Sequence, residues 1–184
     1  MKTIIYVHPY DKSFNHAILE EVVKNIDEYR LIDLYKEEFN PAYDEEELSL
    51  FNKGETKDPL VKKYQKIIEI TDELIIITPI WWNNMPAMLK GFLDKVFKQK
   101  FAYENAKIGV IGKLDYIKKV VVITTATSPK FYIKYFAGNC INGSLKTSFK
   151  QVGVKNFNWI HFGNIGNSTL EQRQKFLDSI KYKI

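Results

Sequence analysis

Four apolar runs that do not alternate with polar residues constrain this chain most: TIIYV (3–7), ELIIIT (73–78), VVVITT (120–125) and WIHFG (159–163). A strand with one wet face alternates with period two. Runs that do not alternate need cover on both faces, the signature of a parallel sheet sandwiched between helices. RLIDLY (30–35) is a weaker fifth strand, carried by Leu31, Ile32 and Leu34 before a charged stretch. Helical spacing fills the intervals. Residues 14–27 place Phe14, Ile18, Leu19, Val22, Val23 and Ile26 on one stripe. Residues 59–71 open with Pro59 after Asp58, residues 86–98 open with Pro86, and residues 169–182 follow Ser168 as a candidate N-cap. This β-α succession predicts an α/β fold with a doubly wound, five-stranded parallel sheet and right-handed crossovers. Residues 36–57 are acidic and turn-rich and read as an excursion over the surface. With no repeat or linker in 184 residues, one domain spanning 1–184 is expected.

Composition narrows the function. Hydrophobic residues make up 45% and charged residues 27%, a soluble globular balance with no export or membrane-spanning segment expected. The single Cys140 supplies neither a disulfide nor a thiolate cluster and reads as a small apolar residue, which points to the cytoplasm. The three histidines lack metal-ligand spacing, so no metal is expected; His16 reads as a surface or packing residue and His161 as a hydrogen-bonded histidine of the sheet. The net charge of +5 comes from lysines scattered over helix faces such as DKVFKQK. That pattern fits a solvated surface or an anionic small molecule, not nucleic acid.

The loop HPYDKSFNH (8–16) follows the first strand and runs straight into a helix. Ligands of open α/β sheets bind beyond the carboxyl ends of the strands, where strand order reverses. Ser13 and Asn15 are both good N-cap residues, and a helix N-terminus offers free N–H groups to an anion, with His8 as a further donor. Neither G-x-G-x-x-G nor G-x-x-x-x-G-K-[ST] is present, so hydroxyl and amide groups stand where those motifs put glycines. A terminal phosphate suits this loop, as in flavin mononucleotide sites; a His-Pro turn with an ordinary cap is the equally simple alternative.

A second constellation, TPIWWNNMPAMLKGFLDKVF (78–97), leaves the third strand. Trp81 and Trp82 give flat apolar surface, and the N–H groups of residues 80–83 can face the edge of a planar heterocycle. At least one of the two tryptophans is expected in the core. The loop TTATSPKFY (124–132) adds Thr124, Thr125 and Thr127. Loops after strands one, three and four would converge at the switch point of the order 2-1-3-4-5.

At these residues the chain resembles the flavodoxin-like NAD(P)H:quinone oxidoreductases, the DT-diaphorase type and its shorter bacterial relatives associated with potassium-efflux systems. HPYDKSFN, DLY with FNP after it, the WWNN segment, FAY (101–103) and the Thr pair fall in the family's order. The resemblance implies that His8, Ser13, Phe14 and Asn15 hold the flavin phosphate and ribityl chain. By the same token Pro79, Ile80, Trp81, Trp82 and Asn83 wall the isoalloxazine, and Thr124 and Thr125 meet its pyrimidine edge. Phe101, Ala102 and Tyr103 match a substrate strip supplied by the neighbouring subunit of a homodimer, and Tyr132 a tyrosine that assists hydride transfer. Two departures stand out: Ala126-Thr127 replaces a common Gly-Gly, and Gly138 replaces a histidine that DT-diaphorase carries. The long carboxy-terminal extension that helps larger members hold FAD has no counterpart, which favours FMN.

The implied activity is ping-pong: hydride passes from NAD(P)H to FMN N5, then to a quinone-like acceptor, without a catalytic histidine. A regulatory flavoprotein subunit bound peripherally to a membrane transporter and a non-catalytic electron carrier are the alternatives. Phe97, Phe101 and Tyr103 suggest more aromatic surface than a monomer can cover, and hence an interface.

Overall fold

The computed structural model describes residues 1–184. The chain opens with β1 (Lys2–Tyr6), α1 (Phe14–Lys24) and β2 (Tyr29–Asp33), then α2 (Glu45–Ser49), α3 (Pro59–Glu69) and β3 (Glu73–Pro79). Next come α4 (Ala87–Val96), a small hairpin of β4 (Tyr103–Asn105) and β5 (Val110–Gly112), and β6 (Lys119–Thr125). The chain closes with α5 (Lys130–Tyr135), α6 (Lys146–Gln151), β7 (Phe157–Phe162) and α7 (Leu170–Asp178).

All five predicted strands form one parallel sheet in the order β2-β1-β3-β6-β7. The expected order 2-1-3-4-5 holds once the β4-β5 hairpin is set aside; that hairpin pairs only with itself and was not foreseen. Its strands are three residues long and mostly exposed, too short to print a periodicity. Alternate residues of the sheet face opposite layers. Ile5, Ile76 and Val122 join the larger apolar cluster under α3 and α4, while Ile4, Ile75 and Val121 face α1 and α7. Both faces are therefore dry, as the uninterrupted runs require.

The helix starts show local rules at work. Asp58 caps α3 by accepting from the Leu60 N–H at 2.9 Å, with Pro59 in the first turn. The last helix is capped by Thr169 and not by Ser168. A reciprocal capping box with Gln172 decides it, and Ser168 donates instead to the Ile165 carbonyl.

Residues 36–57 are not a loose excursion. Phe39, Glu47 and Thr56 are buried, and two lysines that the sequence placed on a solvated face are buried with them. Lys95 donates to Asp58 at 2.8 Å and to the Asn40 carbonyl at 2.9 Å. Lys98, fully buried, pairs with the Glu47 carboxylate and donates to the Glu55 carbonyl at 2.8 Å. Burial alone would raise the Glu47 carboxyl, but hydrogen bonds from Lys98, Thr56 and the Lys57 N–H outweigh it and hold it below the ordinary carboxylate range. The segment also presses its backbone onto α4, where a Cβ at Gly91 would lie 2.2 Å from the Pro41 carbonyl oxygen. Gly91→Ala is expected to destabilise by about 1–3 kcal/mol through overpacking, seen as a lower thermal midpoint.

Candidate active site

A cleft of about 620 Å³ opens at the carboxyl ends of β1, β3 and β6. Its lining comprises His8, Ser13, Phe14, Asn15, Pro79, Ile80, Trp81, Trp82, Thr125, Ala126, Thr127 and Ile165. The three loops expected to converge do so because β1 sits between β2 and β3, which reverses the winding there.

Each wall has a local cause. Ser13, extended at ψ 159°, caps α1 by accepting from the His16 N–H at 3.1 Å; Asn15 is not the cap but lies in the first turn. The buried Asn15 amide donates to the Thr125 hydroxyl at 2.9 Å and ties α1 to the end of β6. Phe14 lies against Phe162 at 4.8 Å, with the Arg173 guanidinium 5.7 Å from its ring centre. His8 accepts the Tyr10 N–H on Nδ1 at 3.1 Å, so its neutral ring carries the proton on Nε2. Burial pushes the His8 imidazole below its ordinary range.

The wall after β3 is a tight turn closed by reciprocal backbone bonds between Trp81 and Asn84, both at 2.9 Å. Trp82 (φ 48°) and Asn83 (φ 59°) occupy its two left-handed positions. For a tryptophan that conformation is uncommon and strained. The expectation that one tryptophan belongs to the core fails: Trp81 is 42% and Trp82 98% exposed. The turn aims both rings outward onto the rim.

Other expected residues separate. Thr124 is fully buried and does not line the cleft; its hydroxyl is engaged by Trp159 at 2.8 Å and His161 at 2.7 Å. Alternation along β6 sends Thr124 to the inner face and Thr125 to the rim. Asn83 lines a smaller hollow beside the cleft, with Ser128 and Ile133. Tyr132 stands half-exposed on α5, stacked on Phe136 at 6.2 Å, outside the cleft. Ala102 is fully buried, so its side chain cannot form part of an exposed strip. Phe101 and Tyr103 pack partly against the core, and Tyr103 lines a separate apolar cavity of about 490 Å³ beside α4. Phe97 is buried against Phe92 and Phe149 and offers no surplus surface. Ile165 is a wall residue that sequence reasoning missed. Its signal was the turn sequence GNIGN directly after the last strand, at the same sheet edge.

The cleft has the donors that a phosphate-bearing heterocycle needs. The N–H groups of Phe14 and Asn15 at the start of α1, of Trp82 and Asn83 in the turn, and of Thr127 and Ser128 after β6 meet no acceptor within the chain. One set sits at a helix N-terminus, where an anion is favoured. The other two flank an apolar slot between Ile80, Trp81 and Ala126.

Cys140 is buried and burial pushes its thiol up, consistent with an apolar role. His161 hydrogen-bonds on both ring nitrogens, as read from sequence. Burial pushes its imidazole down; the Ser128 carbonyl partly opposes this, and Lys130 adds to the depression. Histidines whose folded pKa is depressed remain neutral while the unfolded chain takes up protons. Their stability is thus fully present above about pH 6.5 and lost as pH falls through the folded value. Urea midpoints should decline from pH 7.5 to 5.5, and His161→Gln should flatten most of that decline.

The Flavodoxin_2 family model, described as a flavodoxin-like fold, matches residues 2–184. An NAD(P)H oxidoreductase of Haemophilus influenzae is 29% identical over 168 residues, covering 88% of this chain and 83% of its own. NAD(P)H dehydrogenase [quinone] 1 of Cavia porcellus is 31% identical over 70% of this chain, which spans only 54% of that protein. An FMN-dependent NADH:quinone oxidoreductase of Coprothermobacter proteolyticus is 30% identical, covering 73% of this chain and 67% of its own. Among solved structures, Smu.1420 from Streptococcus mutans superposes with a TM-score of 0.83 at 33% identity, covering 99% of this chain and 97% of its own. An NAD(P)H:quinone oxidoreductase from Methanothermobacter marburgensis superposes with a TM-score of 0.85 at 26% identity, over 98% and 95% of the two chains. With its strand order, its switch-point cleft and these matches in hand, the chain belongs to the flavodoxin-like NAD(P)H:quinone oxidoreductase family.

Proposed function

We propose that this protein is an FMN-dependent oxidoreductase that passes reducing equivalents from NAD(P)H to a quinone-like acceptor. The observation that carries the reading is the arrangement of three pairs of unengaged backbone N–H groups around one apolar cleft at the switch point. Relatives named NAD(P)H dehydrogenase [quinone] and FMN-dependent NADH:quinone oxidoreductase support it. When bound, FMN supplies the hydride-accepting and hydride-donating centre. The chain's own part is placement and electrostatics.

The start of α1, with Ser13, Asn15 and the Nε2–H of His8, holds the phosphate end. Pro79, Ile80 and Trp81 would flank the ring, and the N–H groups of residues 82–83 and 127–128 would be the donors for its polar edge. Donors fixed there favour negative charge on that edge. Trp82 on the rim and Tyr132 just outside the cleft can cover an incoming aromatic substrate and exclude water. Holding both reactants over one slot makes the transfer effectively unimolecular. No side chain of the cleft has to give or take a proton as a strong acid or base.

The chain works as one unit spanning 1–184, in the cytoplasm, and as a homodimer. Surplus apolar surface lies on the β4-β5 hairpin, where Ile108 is 92% and Ile111 59% exposed. An interface there brings Tyr103 close to the partner's cleft. A peripheral transporter partner remains the second role for the same flavoprotein.

Purified protein should carry flavin absorbance, release FMN by mass, bleach with NAD(P)H and recover its colour with a quinone. A colourless protein that takes up no FMN would sink the assignment. Light scattering should report a dimer. Mixing an inactive Tyr103 variant with an inactive Ser13 variant should restore activity if sites are shared.

A further inference from the structure

We propose that His161 is a positioning residue for the cleft, acting through a directed chain of hydrogen bonds that ends on the loop after β6. The proposal rests on the functional reading above and names what holds that site's least supported wall. The loop 126–129 has no regular structure until α5 begins, yet with Thr125 at the end of β6 it contributes Ala126 and Thr127 to the cleft and Ser128 to the adjoining hollow.

The direction of the chain follows from donor chemistry. The Ser128 carbonyl can only accept, so the 3.0 Å contact to His161 Nε2 puts the ring proton on that nitrogen. Nδ1 of the neutral ring is then an acceptor, and the Thr124 hydroxyl donates to it at 2.7 Å. The same hydroxyl oxygen accepts the Trp159 indole N–H at 2.8 Å. The sequence is Trp159 to Thr124 to His161 to the Ser128 carbonyl, running from the buried sheet out to the cleft wall. Register makes it possible: Thr124 lies opposite His161 across the β6-β7 pair, and Trp159 shares a face with His161 two residues away.

Independent packing points to the same anchor. A Cβ at Gly163 would lie 2.8 Å from the Pro129 Cα and 2.9 Å from the Ser128 oxygen, so the loop is pressed directly onto the end of β7. Backbone bonds from Asn164 N–H to the Thr127 carbonyl (3.2 Å) and from Ile165 N–H to the Ala126 carbonyl (3.1 Å) continue the seam. These bonds consume the carbonyls of residues 126–128 and turn the peptide planes, leaving the Thr127 and Ser128 N–H groups free. His161 fixes the last of the three with its side chain.

The test is a pair of amide substitutions that differ in reach. His161→Asn keeps an acceptor near Thr124 but is too short for the Ser128 carbonyl, whereas His161→Gln places its amide N–H about where Nε2 stood. The readouts are FMN dissociation constant by fluorescence quenching and the position and shape of the bound flavin's visible band, with thermal unfolding as a folding control. Asn is expected to weaken FMN about tenfold and to perturb the band, from loss of one partly buried hydrogen bond at the ring-edge loop. Gln should stay within about twofold of the parent protein and restore the band. If folded Asn and Gln variants bind FMN alike, the clamp is wrong while the functional reading stands. A parent protein that binds no FMN would overturn both.

Discussion

Replacing Lys98 with methionine should lower the unfolding free energy by about 3–5 kcal/mol, because it strands the Glu47 carboxylate inside the protein. Lys98 is fully buried and Glu47 is 4% exposed, so water cannot take over the lost ammonium. The hydroxyl of Thr56 and the N–H of Lys57 still reach the carboxylate, but neither neutralises it. The Glu47 carboxyl should respond by titrating upward, so the variant's deficit relative to the parent should shrink as pH falls. Adding Glu47→Leu should recover much of the loss, since a well-packed apolar pair replaces a buried ion pair at little net change. Urea midpoints of the three proteins measure this; a single variant within 1 kcal/mol of the parent would contradict the burial argument.

FMN retention should collapse in the double variant Ser13→Ala/Asn15→Ala. Each side chain is assigned one charge-assisted hydrogen bond to the phosphate end, at ~1.5–3 kcal/mol apiece, so the dissociation constant should rise by roughly a hundredfold or more. Part of the loss is indirect. Ser13 also caps α1, and Asn15 also holds the Thr125 hydroxyl on the facing wall. The Thr125→Ala variant separates the two contributions, since it frees the Asn15 amide without removing it. Fluorescence titration with FMN, carried through to saturation, gives the number. Unchanged affinity in the double variant would remove the phosphate from this loop.

Sequence alone determined the strands, their burial on both faces and hence the layered parallel sheet, because an apolar run that never alternates has no stable exposed face. The same logic located the cleft: with strand order reversing at β1, the loops after β1, β3 and β6 had to meet. What it could not decide was direction within those loops. Thr124 and Thr125 are adjacent and chemically identical, and only the strand's pleat sends one into the sheet and the other to the rim. At least one of the two tryptophans reads as a core residue, yet a left-handed turn closed by its own backbone turns both outward. Lys95 and Lys98 read as a solvated face until a segment some forty to fifty residues earlier folds over them and brings Asp58 and Glu47 to their ammonium groups. Local sequence encodes propensity and periodicity, which act over a few residues. Burial of a charge, the aim of a hydroxyl and the partners of His161 depend on atoms brought together from distant parts of the chain, and those contacts exist only once the sheet is assembled.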